Sequence, residues 1–138
     1  MKRALLLISA ILLLSAAAFS QAVEDRMHRT VGYISSSGTV EDKSHRTLGF
    51  ILANGTIENS SRQKIGYISS SGAVSERSLR TIGYILKSGV VEDRSHITIG
   101  RVNRNGSVED GSHRTIGYAK GIKLEHAAIF FFFFFGNK

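Results

Sequence analysis

Histidines stand in register at His28, His45, His96 and His113, spaced by 17 residues or a multiple of it. Imidazole is the commonest metal-ligating side chain. In a closed ring His28 and His113 would approach each other with His45 beside them, which makes these three weak candidates for a metal site. The same column continues as Arg62 and Leu79 in a polar turn, so it reads as a solvated turn position, with no metal or other cofactor expected. The acidic pairs Glu41-Asp42, Glu92-Asp93 and Glu109-Asp110 resemble paired catalytic carboxylates. Adjacent strand residues point to opposite faces, so neither member can work on the other's substrate. The serines, such as Ser35, Ser36 and Ser37, have no matched base. No nucleophile elbow or phosphate loop is present in the sequence, and the expectation is that the chain is not an enzyme. The best binding candidate is an aromatic column, Tyr33, Phe50, Tyr67, Tyr84 and Tyr118, interrupted by Arg101. Such a collar could stack on sugar rings or grip a peptide; the alternative is that these rings line the core with their hydroxyls at its rim.

These residues are carried by a tandem repeat. Glycines fall at Gly32, Gly49, Gly66, Gly83, Gly100 and Gly117, and again at Gly38, Gly55, Gly72, Gly89 and Gly106, always 17 apart. Spacing without drift means one structural unit copied. Three aliphatic columns run through it. One is Val31, Leu48, Ile65, Ile82, Ile99, Ile116; the next is Ile34, Ile51, Ile68, Ile85, Val102, Ala119; the third is Val23, Val40, Ile57, Val74, Val91, Val108. β-Branched residues of this kind pack well on a pleated sheet. Asn54-Gly55 and its copies predict tight hairpin turns of type I′. Asp42, Asp93 and Asp110, with Asn59, predict Asx-turns at the opposite end of each strand pair. Each repeat is strand, tight turn, strand, looser turn.

Two registers fit this pattern. A two-residue turn at Asn54-Gly55 places Leu48, Phe50 and Ile57 on one face and Ile51 with Gly49 on the other. A bulge at the glycine instead turns both aliphatics inward.

Five complete hairpins, 32–42, 49–59, 66–76, 83–93 and 100–110, are flanked by complementary half-units, "VEDRMHRTV" and "GYAKG". An open meander would leave two edge strands prone to aggregation. Complementary ends predict closure with the termini meeting: an all-β, closed antiparallel ring of five 17-residue hairpin repeats with five-fold pseudosymmetry. A β-solenoid with one coil per repeat is the rival.

The first 22 residues read as a secretory signal. Lys2 and Arg3 precede an apolar run from Ala4 to Phe19, and Ser20-Gln21-Ala22 supplies small residues for cleavage. The run is shorter than the roughly 20 residues of a spanning helix. Cleavage after Ala22 is the first choice and after Ser20 the second. The expected domains are therefore a signal over 1–22, the repeat domain over 23–121, and a tail over 122–138. The expected location is periplasmic or cell-surface. The chain has no cysteine, which leaves burial and strand pairing to hold the fold. The net charge of +7 becomes +5 without Lys2 and Arg3. Its basic residues are interleaved with acids rather than gathered on one face, which argues against a nucleic-acid partner.

The "TIGYI…SGTVED.S.RTIGY" repeat and the "GYAKGIKLEHAAIFFFFF" ending resemble the small secreted bacterial proteins called five-fold β-flower proteins. The resemblance covers essentially the whole mature chain. It implies a closed five-fold all-β ring and carries no catalytic residues. Arg101 in place of the aromatic, and "RQKI" at 62–65 in place of "HRTI", depart from the repeat.

The tail breaks the period with six phenylalanines, Phe130 through Phe135. Each buries roughly 150–250 Å², far more in sum than the largest apolar patch of an ordinary monomer, about 300–600 Å². Two destinations fit: a plug or lid on the ring, or an anchor on a membrane surface or partner. The functional expectation is a secreted, non-enzymatic structural or interaction protein. The alternative is a module binding a cell-envelope glycan or other envelope polymer, or a protein, through the aromatic column.

Overall fold

The repeat columns become strands because each unit buries one aliphatic stripe and ends in a turn at both sides. The structure, a computed structural model, describes residues 19–136; most of the segment read as a signal lies outside them. The strands are β1 (Ser20–Asp25), β2 (Thr30–Ser35), β3 (Thr39–Asp42), β4 (Thr47–Ile51), β5 (Thr56–Asn59) and β6 (Lys64–Ile68). They continue as β7 (Ala73–Glu76), β8 (Thr81–Ile85), β9 (Val90–Asp93), β10 (Thr98–Val102), β11 (Ser107–Asp110) and β12 (Thr115–Tyr118). Every neighbour is antiparallel and β1 pairs with β12, so the sheet closes into a barrel. The solenoid is thereby excluded. Five hairpins are continuous in the chain. The two half-units supply a sixth: Tyr118 faces Glu24 and Gly117 faces Asp25, as Tyr33 faces Glu41 and Gly32 faces Asp42.

The register follows the bulge alternative. Val40 faces Gly49 and Glu41 faces Thr47, so Leu48 is the extra residue. The same slip occurs at Val31, Ile65, Ile82, Ile99 and Ile116. Bulges let both aliphatics of each unit turn toward the lumen. Ile51 sits opposite Ile57, while Phe50 sits opposite Glu58 on the outer face. The third column, Val23, Val40, Ile57, Val74, Val91 and Val108, is fully buried.

The tight turns differ from the type I′ expectation. The amide of Gly55 donates to the Leu52 carbonyl (2.9 Å) and that of Leu52 to Thr56 (2.8 Å). Gly55 alone has positive φ, at 93°. This is a three-residue loop, a type I turn closed by a left-handed residue. One residue more than a type I′ turn shifts the pairing and exchanges the faces. The looser turns use the same geometry. The amide of His45 donates to the Asp42 carbonyl (3.0 Å), that of Asp42 to the Arg46 carbonyl (2.9 Å), and His45 has φ 64°. Glycine is needed at Gly38 because a Cβ there would run into the Ile51 carbonyl of the next strand. No such obstacle restricts the other end to glycine.

Asp42 builds its turn as the sequence predicts. Its Oδ1 accepts from the amides of Ser44 (2.8 Å) and Arg46 (3.0 Å), and its Oδ2 from Arg46 Nε (2.9 Å). The Arg46 amide foremost, helped by the Ser44 amide and the guanidinium, holds its carboxyl below the usual value against the desolvation that opposes it. Asp25 and Asp110 are lowered in the same way by Arg29 and Arg114. A carboxylate depressed in the folded state stabilises above its unfolded pKa, and that contribution disappears as pH falls through the folded one. The melting temperature should therefore stay level from pH 7 to about 5 and drop below about 4. Changing the three aspartates to asparagine together should flatten the drop, since Asn59 already accepts the Ser61 and Gln63 amides. An unchanged acid limb in that variant would place the titration elsewhere.

The tail is a plug. A short helix α1 (Leu124–Ala128) lies at the tight-turn mouth and runs into a π-helical turn over Ile129–Phe133. Ala127, Ala128 and Ile129 are fully buried and Phe130 is 3% exposed. Each phenylalanine ring lies against one repeat glycine: Phe130 at Gly32, Phe131 at Gly117, Phe132 at Gly100, Phe133 at Gly83, Phe134 at Gly66 and Phe135 at Gly49. Successive residues step back by one unit, so six residues make one circuit. That needs about 60° per residue, where an α-helix turns about 100°. The backbone widens toward this, with the Phe134 amide bonding the Ile129 carbonyl five residues back at 2.8 Å, and then leaves the helix, Phe134 being extended and Phe135 left-handed at φ 66°.

Strand β1 begins at Ser20, within the segment read as the signal. Ser20, Gln21 and Ala22 pair with Ser35, Ile34 and Tyr33. A chain starting at Val23 should be less stable than one starting at Gln21 by about 1–2 kcal/mol, the worth of one or two net hydrogen bonds. Thermal melts of the two chains measure this, and coincident curves would mean that the start of β1 adds nothing.

Candidate functional site

The aromatic column lies on the outer face of the barrel. Tyr33, Tyr84 and Tyr118 face Glu41, Glu92 and Glu24 across the strands. Each ring is covered by an imidazole from a looser turn. His45 stacks on Tyr33 at 4.1 Å, His96 on Tyr84 at 4.1 Å and His28 on Tyr118 at 4.0 Å. The same imidazoles reach the glutamates: His45 Nδ1 is 3.1 Å from Glu41 Oε1, and His96 Nδ1 is 2.9 Å from Glu92 Oε1. In the neighbouring unit the Arg62 guanidinium lies 3.6 Å from the centre of the Phe50 ring. These outward ring faces are occupied by the protein's own side chains, so a sugar stacking there would have to displace them.

His28, His45 and His113 each pair with a glutamate of their own unit. Among the described residues no group of three His, Asp or Glu side chains gathers as metal ligands. The six looser-turn residues His28, His45, Arg62, Leu79, His96 and His113 are left-handed, with φ between 63° and 70°. That conformation costs an L-residue roughly 1–2 kcal/mol. At His45 a ring stack of about 0.5–1.5 kcal/mol and an exposed pair of about 0–1 kcal/mol offset it. Leu79 is 68% exposed and stacks on no ring. Leu79→Gly should therefore stabilise the protein by about 1 kcal/mol, while His45→Gly changes it by less than about 0.5 kcal/mol. Urea melts of both variants check the difference; equal shifts would show that the stack contributes nothing.

Tyr67 stands apart from the others of its column. Ser75 replaces the glutamate opposite it. Its ring has the Lys64 ammonium 5.3 Å from the centroid, and its Cε1 lies near Gly55 in the tight turn. There it joins a cleft of about 410 Å³ between the tight turns of the middle repeats and the tail helix. Ile68 is in the floor, and it is the one member of its column that is not fully buried. Leu52, Leu86, Lys87 and Ser69 line the barrel side; Lys123, Glu125 and His126 line the tail side. His126 is only 9% exposed. Burial, and then the Lys123 ammonium, push its imidazole below the usual histidine value, with Glu125 acting in the opposite sense. It is neutral at pH 7.

The serines of the cleft have turn-building roles. Ser69 Oγ lies 2.8 Å from Ser71 Oγ and accepts the Ala73 amide at 3.1 Å. Ser35 does the same with Ser37 and Thr39. Of these cleft residues only Tyr67 belongs to the aromatic column that the sequence offers for binding. The usable signal was the clustering of departures from the repeat around it: Arg62 and Leu79 in the histidine column, Lys64 for threonine, and Ser75 for glutamate.

The family described as 5-fold beta-flower protein matches residues 20–135. The chain belongs to that family. The match runs from the first residue of β1 to the last phenylalanine, so the β-flower unit includes the plug as well as the ring. Comparison with curated proteins and with solved structures finds no match.

Proposed function

We propose that this β-flower protein is an exported, non-enzymatic interaction protein that holds the end of a cell-envelope glycan in the mouth cleft. The observation that carries the reading is the cleft itself: a concave site of about 410 Å³ beside an aromatic ring, at the mouth of a barrel filled by its own tail. Small-molecule sites are typically clefts of about 300–1,000 Å³ with apolar walls and a few placed polar groups. Export is supported by the apolar leader at residues 4–19. A binding role rather than catalysis is supported by the chemistry of the walls, where the Ser69 hydroxyl is engaged by Ser71 and the Ala73 amide of its own turn rather than by an imidazole.

The test is retention on immobilised envelope polysaccharide. Ser70 is an exposed cleft residue, and Ser70→Trp should fill the site and cut retention about tenfold or more, the scale of a lost pocket, with no change in melting. Ser44→Trp, at the opposite end, should bind as the parent does. Equal retention of the two variants would contradict the assignment and move the search to the outer belt.

A further inference from the structure

The charges around the cleft narrow the ligand, given that the cleft is the binding site. Lys87 projects from the tight turn between β8 and β9, and Lys123 precedes the tail helix. His126, only 9% exposed, also lines the cleft, and Glu125 is the one carboxylate among the lining residues. Two ammonium groups against one carboxylate give the walls a net positive charge. Hydroxyls of Ser70 and Tyr67 complete the rim, with Ile68, Leu52 and Leu86 as apolar surface. An apolar floor suits the C–H face of a sugar ring, hydroxyls suit its hydroxyls, and paired cations suit a carboxylate.

We propose that the cleft takes a uronic-acid-type sugar, its ring over Ile68 beside Tyr67 and its carboxylate between Lys87, Lys123 and His126. The imidazole is then more than a wall. In the free protein burial and Lys123 keep it neutral. A bound carboxylate offsets the Lys123 charge and accepts a hydrogen bond from the imidazolium, both of which favour protonation. Binding should therefore be accompanied by proton uptake at His126, with no covalent change. Reciprocity then requires that affinity rise as pH falls. The uronate itself stays ionised across the range, because carboxylates titrate near 4.

The experiment is a titration of the full ring-and-tail chain with sodium glucuronate, a glucuronate-terminated disaccharide and neutral glucose, followed by NMR at Ile68 and His126. Both acidic probes should shift these resonances and glucose should not. A disaccharide bound more tightly than the monosaccharide identifies a polymer end as the source; equal affinities identify the free sugar acid. Glucuronate should bind about fivefold or more tightly at pH 5.5 than at pH 7.5, the usual size of such coupling. His126→Asn should abolish that pH dependence, and Lys87→Gln and Lys123→Gln, both on the exposed rim, should each weaken binding about threefold or more. Glucose shifting the same resonances as strongly as glucuronate would overturn the acid preference while leaving the cleft as a glycan site. If no probe or oligosaccharide moves Ile68 or His126, the cleft reading fails with it. A pH dependence that survives in the asparagine variant overturns the proton uptake.

Discussion

A chain ending at Ala128 should show no cooperative thermal transition and no β-barrel circular dichroism. The cut removes Ile129, which is fully buried, and all six phenylalanines that fill the lumen. Each large apolar side chain contributes about 1.5–3 kcal/mol when buried. Even with five of the six rings half-buried, the sum is on the order of 10 kcal/mol, against a whole-domain stability of about 5–15 kcal/mol. The repeats cannot replace that volume. Their inward positions are valines, isoleucines and glycines with Leu48 and Ala119, and their one phenylalanine, Phe50, faces outward opposite Glu58. If the shortened chain melts like its parent, the ring is self-sufficient and the plug has another purpose.

The second large effect concerns the fit between rings and glycines. Glycine inside a strand normally weakens it by about 0.5–1 kcal/mol relative to alanine. Here the sign should reverse. A Cβ on Gly66 would meet Phe134 Cζ, with Cε2 at 2.8 Å, and the Ser75 carbonyl at 2.9 Å. Gly66→Ala should destabilise by about 2–3 kcal/mol, the cost of overpacking a filled core. In a Phe134→Ala background the ring is gone and only the carbonyl contact is left. There the same change should cost less than about 1 kcal/mol, a coupling of about 1–2 kcal/mol in a double-mutant cycle. Gly66 suits this test because the carbonyl contact is looser than at Gly83, where Glu92 O stands 2.5 Å away. Additive effects in the cycle would mean that the glycine is needed for its strand neighbours alone.

This pairing shows how far the repeat can be read without coordinates. Closure was legible, because "VEDRMHRTV" and "GYAKG" are two halves of one unit and β1 meets β12 as those halves require. The buried columns were legible from their β-branched residues. Asn54-Gly55 predicts a type I′ turn, yet only Gly55 is left-handed. Both turn types accept that dipeptide, and the extra residue moves Phe50 and its column to the outside. The looser turns hid their left-handed histidines because His45 gives no glycine signal. The phenylalanine run announced burial but not order. One ring per unit follows from a backbone widened beyond an α-helix, which no residue type in the run encodes. The cleft was least visible, since it arises where the tail helix crosses the mouth and joins residues as distant as Leu52 and His126.

The most direct measurement of this account is a nuclear Overhauser spectrum of the chain with labelled phenylalanine and glycine. The account predicts contacts between ring protons and glycine Hα in one order: Phe130 with Gly32, Phe131 with Gly117, then Gly100, Gly83, Gly66 and Gly49 for Phe132 through Phe135. Contacts in another order, or rings that see only solvent, would contradict a ring closed from within by its own tail, and with it the mouth cleft that the tail helps to build.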